Sequence, residues 1–294
     1  IVSGTTAVTT DVDDKTITLD ETDNAFTGNV TVTTQGTAGH VTIDNGTTAL
    51  GIQGTVKGNL SLTAGEAITD SDALIVSGTT AVTTDVDDKT ITLDETDNAF
   101  TGNVTVTTQG TAGHVTIDNG TTALGIQGAV KGNLSLTAGE AITDSDALIV
   151  SGTTAVTTDV DDKTITLDET DNAFTGNVTV TTQGTAGHVT IDNGTTALGI
   201  QGTVKGNLSL TAGEAITDSD ALIVSGTTAV TTDVDDKTIT LSETDNAFTG
   251  NVTVTTQGTA GHVTIDNGTT ALGIQGAVKG NLSLTAGEAI TDSD

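Results

Sequence analysis

The chain is one long phrase written four times. Ile1-Val2-Ser3-Gly4 returns at Ile75-Val76-Ser77-Gly78, Ile149-Val150-Ser151-Gly152 and Ile223-Val224-Ser225-Gly226. This divides the chain into repeats 1–74, 75–148, 149–222 and 223–294, the last lacking a final Ala-Leu pair. Two columns differ among the copies. One alternates Thr55, Ala129, Thr203, Ala277, and the other reads Asp20, Asp94, Asp168, Ser242. Self-similarity at such a period marks architectures whose units cannot bury an apolar face alone and must stack to do so. The chain starts and stops in mid-phrase, as a window on a longer array would.

A finer repetition runs inside each repeat. Gly28-Asn29-Val30-Thr31-Val32-Thr33 is echoed by Gly58-Asn59-Leu60-Ser61-Leu62-Thr63 and Gly78-Thr79-Thr80-Ala81-Val82-Thr83. Apolar and hydroxyl side chains alternate, which in an extended chain puts them on opposite faces. Lys15 to Leu19 and His40 to Ile43 alternate in the same way and read as strands. Asp20 to Asn24, Asp44-Asn45-Gly46 and Asp70-Ser71-Asp72 read as turns. No period of three to four residues persists, so helices are not expected. Three coils of one plan result, spanning 5–28, 29–58 and 59–78. Each has a long strand, a second strand, an acidic turn and a short apolar strand, and three strands predict a triangular section. The expected fold is all-β: a single continuous β-solenoid over residues 1–294, with about three coils per repeat. Ile17, Leu19, Val30, Val32, Val41, Ile43, Leu60 and Leu62 are expected inside, and Thr31 and Thr33 outside. A string of β-sandwiches fits less well, since immunoglobulin-type domains need nearer ~100 residues and a buried Trp, and this chain has no Trp.

Composition limits function. There are 39 acidic residues against 8 basic ones, a net charge of −31. Nucleic acid and anionic membrane surfaces need a basic footprint, which is missing. No apolar run approaches the roughly 18 residues of a membrane-spanning helix. Catalysis is not expected: no Gly-x-Ser-x-Gly elbow occurs, and near-identical repeats offer no singular groove.

Several patterns suggest sites. Asp11, Asp13 and Asp14 share a loop that returns as Asp85, Asp87 and Asp88. Oxygen ligands at alternate positions suit Ca²⁺, although the full calcium-loop pattern is absent. If coils stack in register, these corners form one acidic edge along which divalent cations collect. His40 recurs once per repeat, about 14 Å from its copies if three coils intervene, and reads as a surface residue. Regular outward Thr ranks suit ice, but Ala7 and Ala64 interrupt them. Asn29-Val30-Thr31, Asn45-Gly46-Thr47 and Asn59-Leu60-Ser61 fit the N-glycosylation pattern, with Asn45 in its turn the most accessible; hydrogen-bonded Asn ladders at the corners are the plainer reading.

Gly58 to Ser71, and Thr18-Leu19-Asp20 leading to Asn24-Ala25-Phe26-Thr27-Gly28-Asn29-Val30, resemble the repeats of filamentous-haemagglutinin-like proteins. The resemblance covers the whole chain. It implies a right-handed parallel β-helix in the shaft of a giant bacterial adhesin or other surface or secreted protein. The near-identity of the copies departs from the usual degenerate shafts and favours a spacer or filament segment. The alternative is a multivalent module binding glycans or a host receptor through its repeated face. Neighbouring copies of the repeat, lateral self-association and cell-surface glycans are the partners expected.

Overall fold

A computed structural model describes residues 1–292. The strands are β1 (Thr6–Asp13), β2 (Ile17–Leu19), β3 (Val30–Gln35), β4 (Val41–Asp44), β5 (Leu50–Val56), β6 (Leu60–Ala64), β7 (Ile68–Val76), β8 (Thr80–Asp87), β9 (Ile91–Leu93), β10 (Ala99–Phe100), β11 (Val104–Gln109), β12 (Val115–Asp118), β13 (Leu124–Val130) and β14 (Leu134–Ala138). After β15 (Ile142–Val150) come β16 (Thr154–Asp161), β17 (Ile165–Leu167), β18 (Ala173–Phe174), β19 (Val178–Gln183), β20 (Val189–Asp192), β21 (Leu198–Val204), β22 (Leu208–Ala212) and β23 (Ile216–Val224). The last are β24 (Thr228–Asp235), β25 (Ile239–Leu241), β26 (Ala247–Phe248), β27 (Val252–Gln257), β28 (Val263–Asp266), β29 (Leu272–Ala277), β30 (Leu282–Thr285) and β31 (Ile290–Asp292). No helix occurs among the described residues. The chain clusters into two compact bodies, one built on Ile1–Ser145 with Ile149–Gly152, the other on Asp146–Leu148 with Thr153–Asp294.

Each body is a β-solenoid of parallel strands. In the first, β1-β3-β5-β7-β9-β12-β14 form one sheet and β2-β4-β6-β8-β11-β13 the other. In the second, the sheets are β16-β19-β21-β23-β25-β28-β30 and β17-β20-β22-β24-β27-β29-β31. The chain crosses from one sheet to the other with almost every strand, so each strand lies beside the strand one turn on. Thr6 pairs with Val30, Val30 with Ile52, Val41 with Leu60 and Leu60 with Thr80.

The winding differs from the expected plan in two ways. A turn has two sides, not three. Ile68-Thr69 and Ala73 to Val76 are one strand, β7, and the acidic turn between them is a bulge: Ile52 pairs with Asp70 but Gly54 with Leu74. The Asp70 carboxylate binds the next turn there, accepting N–H bonds from Asp94 and Glu95 and the Asn98 amide. The second difference is the number of turns. Seven crossings, β3 to β9, precede the copy of β3, so a repeat winds three and a half turns rather than three. Residues 29–58 hold three crossings, β3, β4 and β5, where residues 59–78 hold two. Equivalent strands of successive repeats therefore lie in opposite sheets: β3 against β11 in the first body, β19 against β27 in the second.

The core is the expected one. Ile17, Val30, Val32, Val41, Ile43, Leu60 and Leu62 are buried, while Leu19, in the first turn, is half-buried; its copy Leu93 is fully buried. Thr31 and Thr33 face outward, half-exposed. Phe100, Phe174 and Phe248 are the largest buried side chains. Several Thr and Asn side chains complete the core, among them Asn119 and Thr34. Asn119 is fully buried, its Oδ1 accepting the Phe100 N–H and its Nδ2 donating to the Phe100 and Ala123 carbonyls. Thr34 turns inward after Thr33, donating to the Gly39 carbonyl and accepting the Lys57 N–H.

Among the described residues, one buried hydroxyl per repeat has no partner. The Thr80 hydroxyl lies in an inward column between Leu60 and Val104, and its Oγ1 makes no hydrogen bond; Thr6, Thr154 and Thr228 repeat this. A buried hydroxyl without a partner costs roughly 1–3 kcal/mol. Thr80→Val and Thr228→Val keep the shape and should each stabilise the chain by about 1 kcal/mol in denaturant titration. A loss of stability in both would show that the hydroxyls are solvated.

Candidate functional site

The acidic loops are built from the ends of β1 and β8. Asp11 and Asp13 are exposed, as are Asp85 and Asp87. Asp14 differs from them. Its φ of 60° is a left-handed conformation that Asp tolerates better than most residues. Its Oδ1 accepts the N–H of Thr37 at 2.7 Å and of Ala38 at 2.9 Å, one turn on. Asp88 does the same for Thr111 and Ala112. The third acidic residue of each cluster is thus a clasp between turns. Because β1 and β8 belong to opposite sheets, Asp11-Asp13-Asp14 and Asp85-Asp87-Asp88 do not share an edge. Among the described residues no three or more histidine or carboxylate side chains converge as a metal ion requires.

The half-turn also separates the histidines. His40 leads into β4 and His114 into β12, which lie in opposite sheets, so the imidazoles form no file along one edge. Each Nδ1 accepts a backbone N–H of the next turn, Asn59 for His40 and Asn133 for His114. That makes the imidazole a corner fastener. Asn45 is fully buried and its amide is committed to Phe26 and Ala49; it is closed to modification, against the expectation from its turn. The outward Thr rank is interrupted by Ala7, beside Thr31, and by Ala81, beside Ser61 and Thr105. Ala64 is buried and does not belong to it.

The feature with most chemistry is a cleft on the outer face of β21, about 200 Å³ in volume, lined by Thr179, Gln201, Thr203, Asp220, Ala221 and Ile223. It arises from the β23 bulge. Ile200 pairs with Asp218 and Gly202 with Leu222, so Ser219, Asp220 and Ala221 stand out against Gln201 alone. Gly202 has φ +119°, and a Cβ there would collide with the Val180 carbonyl. The Ser219 hydroxyl donates to Gln201 Oε1 at 2.7 Å and accepts the Asn177 amide at 2.5 Å. Asp220 Oδ1 accepts the Ala221 N–H at 2.8 Å. The first body holds the same arrangement at Asn29, Gln53, Ser71 and Asp72. Two sequence signals fall at this place: Asn29-Val30-Thr31, which fits the N-glycosylation pattern and whose copy supplies Asn177 and Thr179, and the alternating column, since Thr203, whose copy is Thr55, lines the cleft.

A family model described as Repeats of unknown function (DUF5649) matches residues 1–33, 38–107, 112–181 and 186–255, most of the chain. Its full matches, beginning at 38, 112 and 186, keep the period of the repeats numbered above at a different phase. No curated protein and no solved structure matches the chain.

The Asp clasps give stability a pH dependence. The N–H donors of Thr37 and Ala38 hold the Asp14 carboxyl below its ordinary 3.8, and Asp88, Asp162 and Asp236 are lowered in the same way. A folded pKa below the unfolded one adds stability above about pH 3.8, lost as the pH falls through the folded value. Burial pushes Asp70 and Asp192 the other way, so their protonation favours the fold. Replacing Asp14, Asp88, Asp162 and Asp236 together by Asn keeps the acceptor and the left-handed backbone. The fall in melting temperature between about pH 4 and pH 2 should then become shallower; an unchanged slope would show that the clasps do not titrate with folding.

Proposed function

We propose that this chain, which belongs to the family of repeats of unknown function (DUF5649), is a structural segment: a stretch of shaft in a bacterial cell-surface or secreted filament, serving as a spacer. The observation that carries this reading is how burial is shared. Leu60, Leu134 and Leu208 are 1% exposed, each covered by a neighbouring turn; their copy Leu282, with no turn over it in this chain, is 49% exposed. Ile68, Ile142 and Ile216 are fully buried and Ile290 is 45% exposed. A turn thus completes its core only against another turn, as the stacking of a repetitive shaft requires. The repeated acidic surface keeps such an array soluble. The repetition of every polar cluster argues for a non-catalytic role.

A second reading, a multivalent binding module, is favoured by one observation: the side-chain bonds that frame the outward cleft over β21 recur in both bodies.

The shaft reading is tested by chains of four, six and eight repeats. Three and a half turns at ~4.8 Å per turn add roughly 17 Å for each repeat. Particle length in electron micrographs should grow by that step at constant width, while the melting temperature rises towards a plateau as nearest-neighbour coupling requires. Particles that grow in every dimension would refute the shaft.

A further inference from the structure

We propose that the cleft over β21, with its counterpart over β5, binds a neutral hexopyranose, and that the Thr hydroxyl at 203 and 55 makes it competent. The proposal rests on the second reading above and is independent of the shaft.

The cleft is preorganised. Gln201 is held by the Ser219 hydroxyl through Oε1, which leaves its NH₂ to donate. Asp220 is held by its bond to the Ala221 N–H through Oδ1, which leaves the second carboxylate oxygen to accept. Thr179 and Thr203 add hydroxyls that do both. Beside Thr203, as its ladder neighbour, stands Ile223, 39% exposed, an outward aliphatic surface among small and polar side chains. A carboxylate, an amide donor, two hydroxyls and one apolar patch match a pyranose ring, which carries adjacent hydroxyls on its rim and C–H groups on its face. The volume, about 200 Å³, suits a single sugar ring rather than an extended ligand. The charge of −31 with no Arg disfavours sulfated, phosphorylated or carboxylated sugars.

The second, independent observation is the pattern of variation. The residue that alternates between successive repeats is Thr55, Ala129, Thr203, Ala277. The other lining types do not vary: Gln53, Asp72 and Ile75 repeat Gln201, Asp220 and Ile223. The half-turn converts this alternation into a difference between faces. In the first body Thr55 lies in the sheet of β5 and Ala129 in the opposite sheet; in the second, Thr203 and Ala277 are separated likewise. Each body therefore has a hydroxyl at this position on one face and a methyl on the other. The ladder itself does not depend on which stands there, since Thr33 pairs with Thr55 and Thr107 with Ala129 in the same register.

The chain's own copies show that Thr and Ala both fit this fold, so exchanging them tests binding with the scaffold intact. The full chain is titrated with the methyl glycosides of glucose, galactose, mannose and N-acetylglucosamine, read by saturation-transfer NMR and calorimetry. Binding of at least one glycoside is expected, weakened about tenfold in the double variant Thr55→Ala/Thr203→Ala, as loss of one hydrogen bond implies. Asp72→Asn/Asp220→Asn retains the acceptor for the following N–H and should weaken binding further by removing the charge. No saturation transfer from any of the four overturns the proposal. Binding unchanged in both double variants also overturns it, by placing the sugar elsewhere while leaving the module reading standing. A glycan array probed with the same proteins separates the two readings: glycan binding that ignores Thr55 and Thr203 keeps the module and removes the cleft.

Discussion

Everything in this molecule depends on one turn covering the next. A single turn has two short strands and a thin row of Val, Ile and Leu, too little to be stable alone. Fully burying one such side chain contributes roughly 1.5–3 kcal/mol, and the contrast between Leu208 at 1% exposure and Leu282 at 49% shows that the covering turn supplies this burial. The backbone follows the same rule. Val41 N–H bonds to the Asn59 carbonyl, and Leu60 N–H to that of Thr79, each one turn away. The corners are fastened similarly by side chains acting between turns: Asp14 on Thr37 and Ala38, His40 on Asn59, Thr34 on Lys57. Pro, which would remove a ladder donor, has no place in such a structure, and none occurs.

The half-turn left over in each repeat has consequences that a whole number of turns would not. With three turns, every side chain would stack above its own copy, and one face would carry all the acidic loops, all the imidazoles and all the clefts. With three and a half, each feature alternates between the two sheets. Two repeats then complete seven whole turns, which gives a physical sense to the two-repeat alternation at Thr55 and Ala129: it is the pattern that makes opposite faces chemically different.

Much of the fold was legible in the sequence because alternation reports burial directly. The inward residues Val30, Val32, Val41, Ile43, Leu60 and Leu62 follow from period two alone, and they lie where that period puts them. The number of sides to a turn was not legible, because an acidic triplet reads the same whether it is a corner or a bulge. Asp44-Asn45-Gly46 is a corner, yet Asp70-Ser71-Asp72 is a bulge within β7; the difference lies in Asn98 and the Asp94 and Glu95 amides, a full turn further along the chain. The stretch 29–58 did carry the half-turn in its length, since it is longer than its neighbours 5–28 and 59–78, which hold two crossings each. The cleft was less visible still. Its polar groups come from three different turns, Asn177, Gln201 and Ser219, and no local spacing connects them.

Charge explains the remaining column. Asp94 donates its N–H to the Asp70 carboxylate while its own carboxylate, a like charge, helps raise the Asp70 pKa. The backbone bond needs only the main chain at this position, and the Asp94 carboxylate adds repulsion to the contact. Ser242 demonstrates this, since its N–H reaches Asp218 at 2.9 Å in the same manner without the second charge. Elsewhere repulsion is offset locally: Lys89 meets Glu66 of the preceding turn at 2.8 Å and Lys237 meets Glu214 at 2.8 Å. These pairs are partly exposed and each is worth little, about 1 kcal/mol or less. The larger relief comes from the winding, which sends the Asp11 and Asp85 loops to opposite sheets. The screening length is only ~8–10 Å at ordinary salt, so carboxylates on opposite faces of the core interact far less than carboxylates on adjacent turns. A highly acidic repeat can therefore stack on itself without a counter-ion file along one edge.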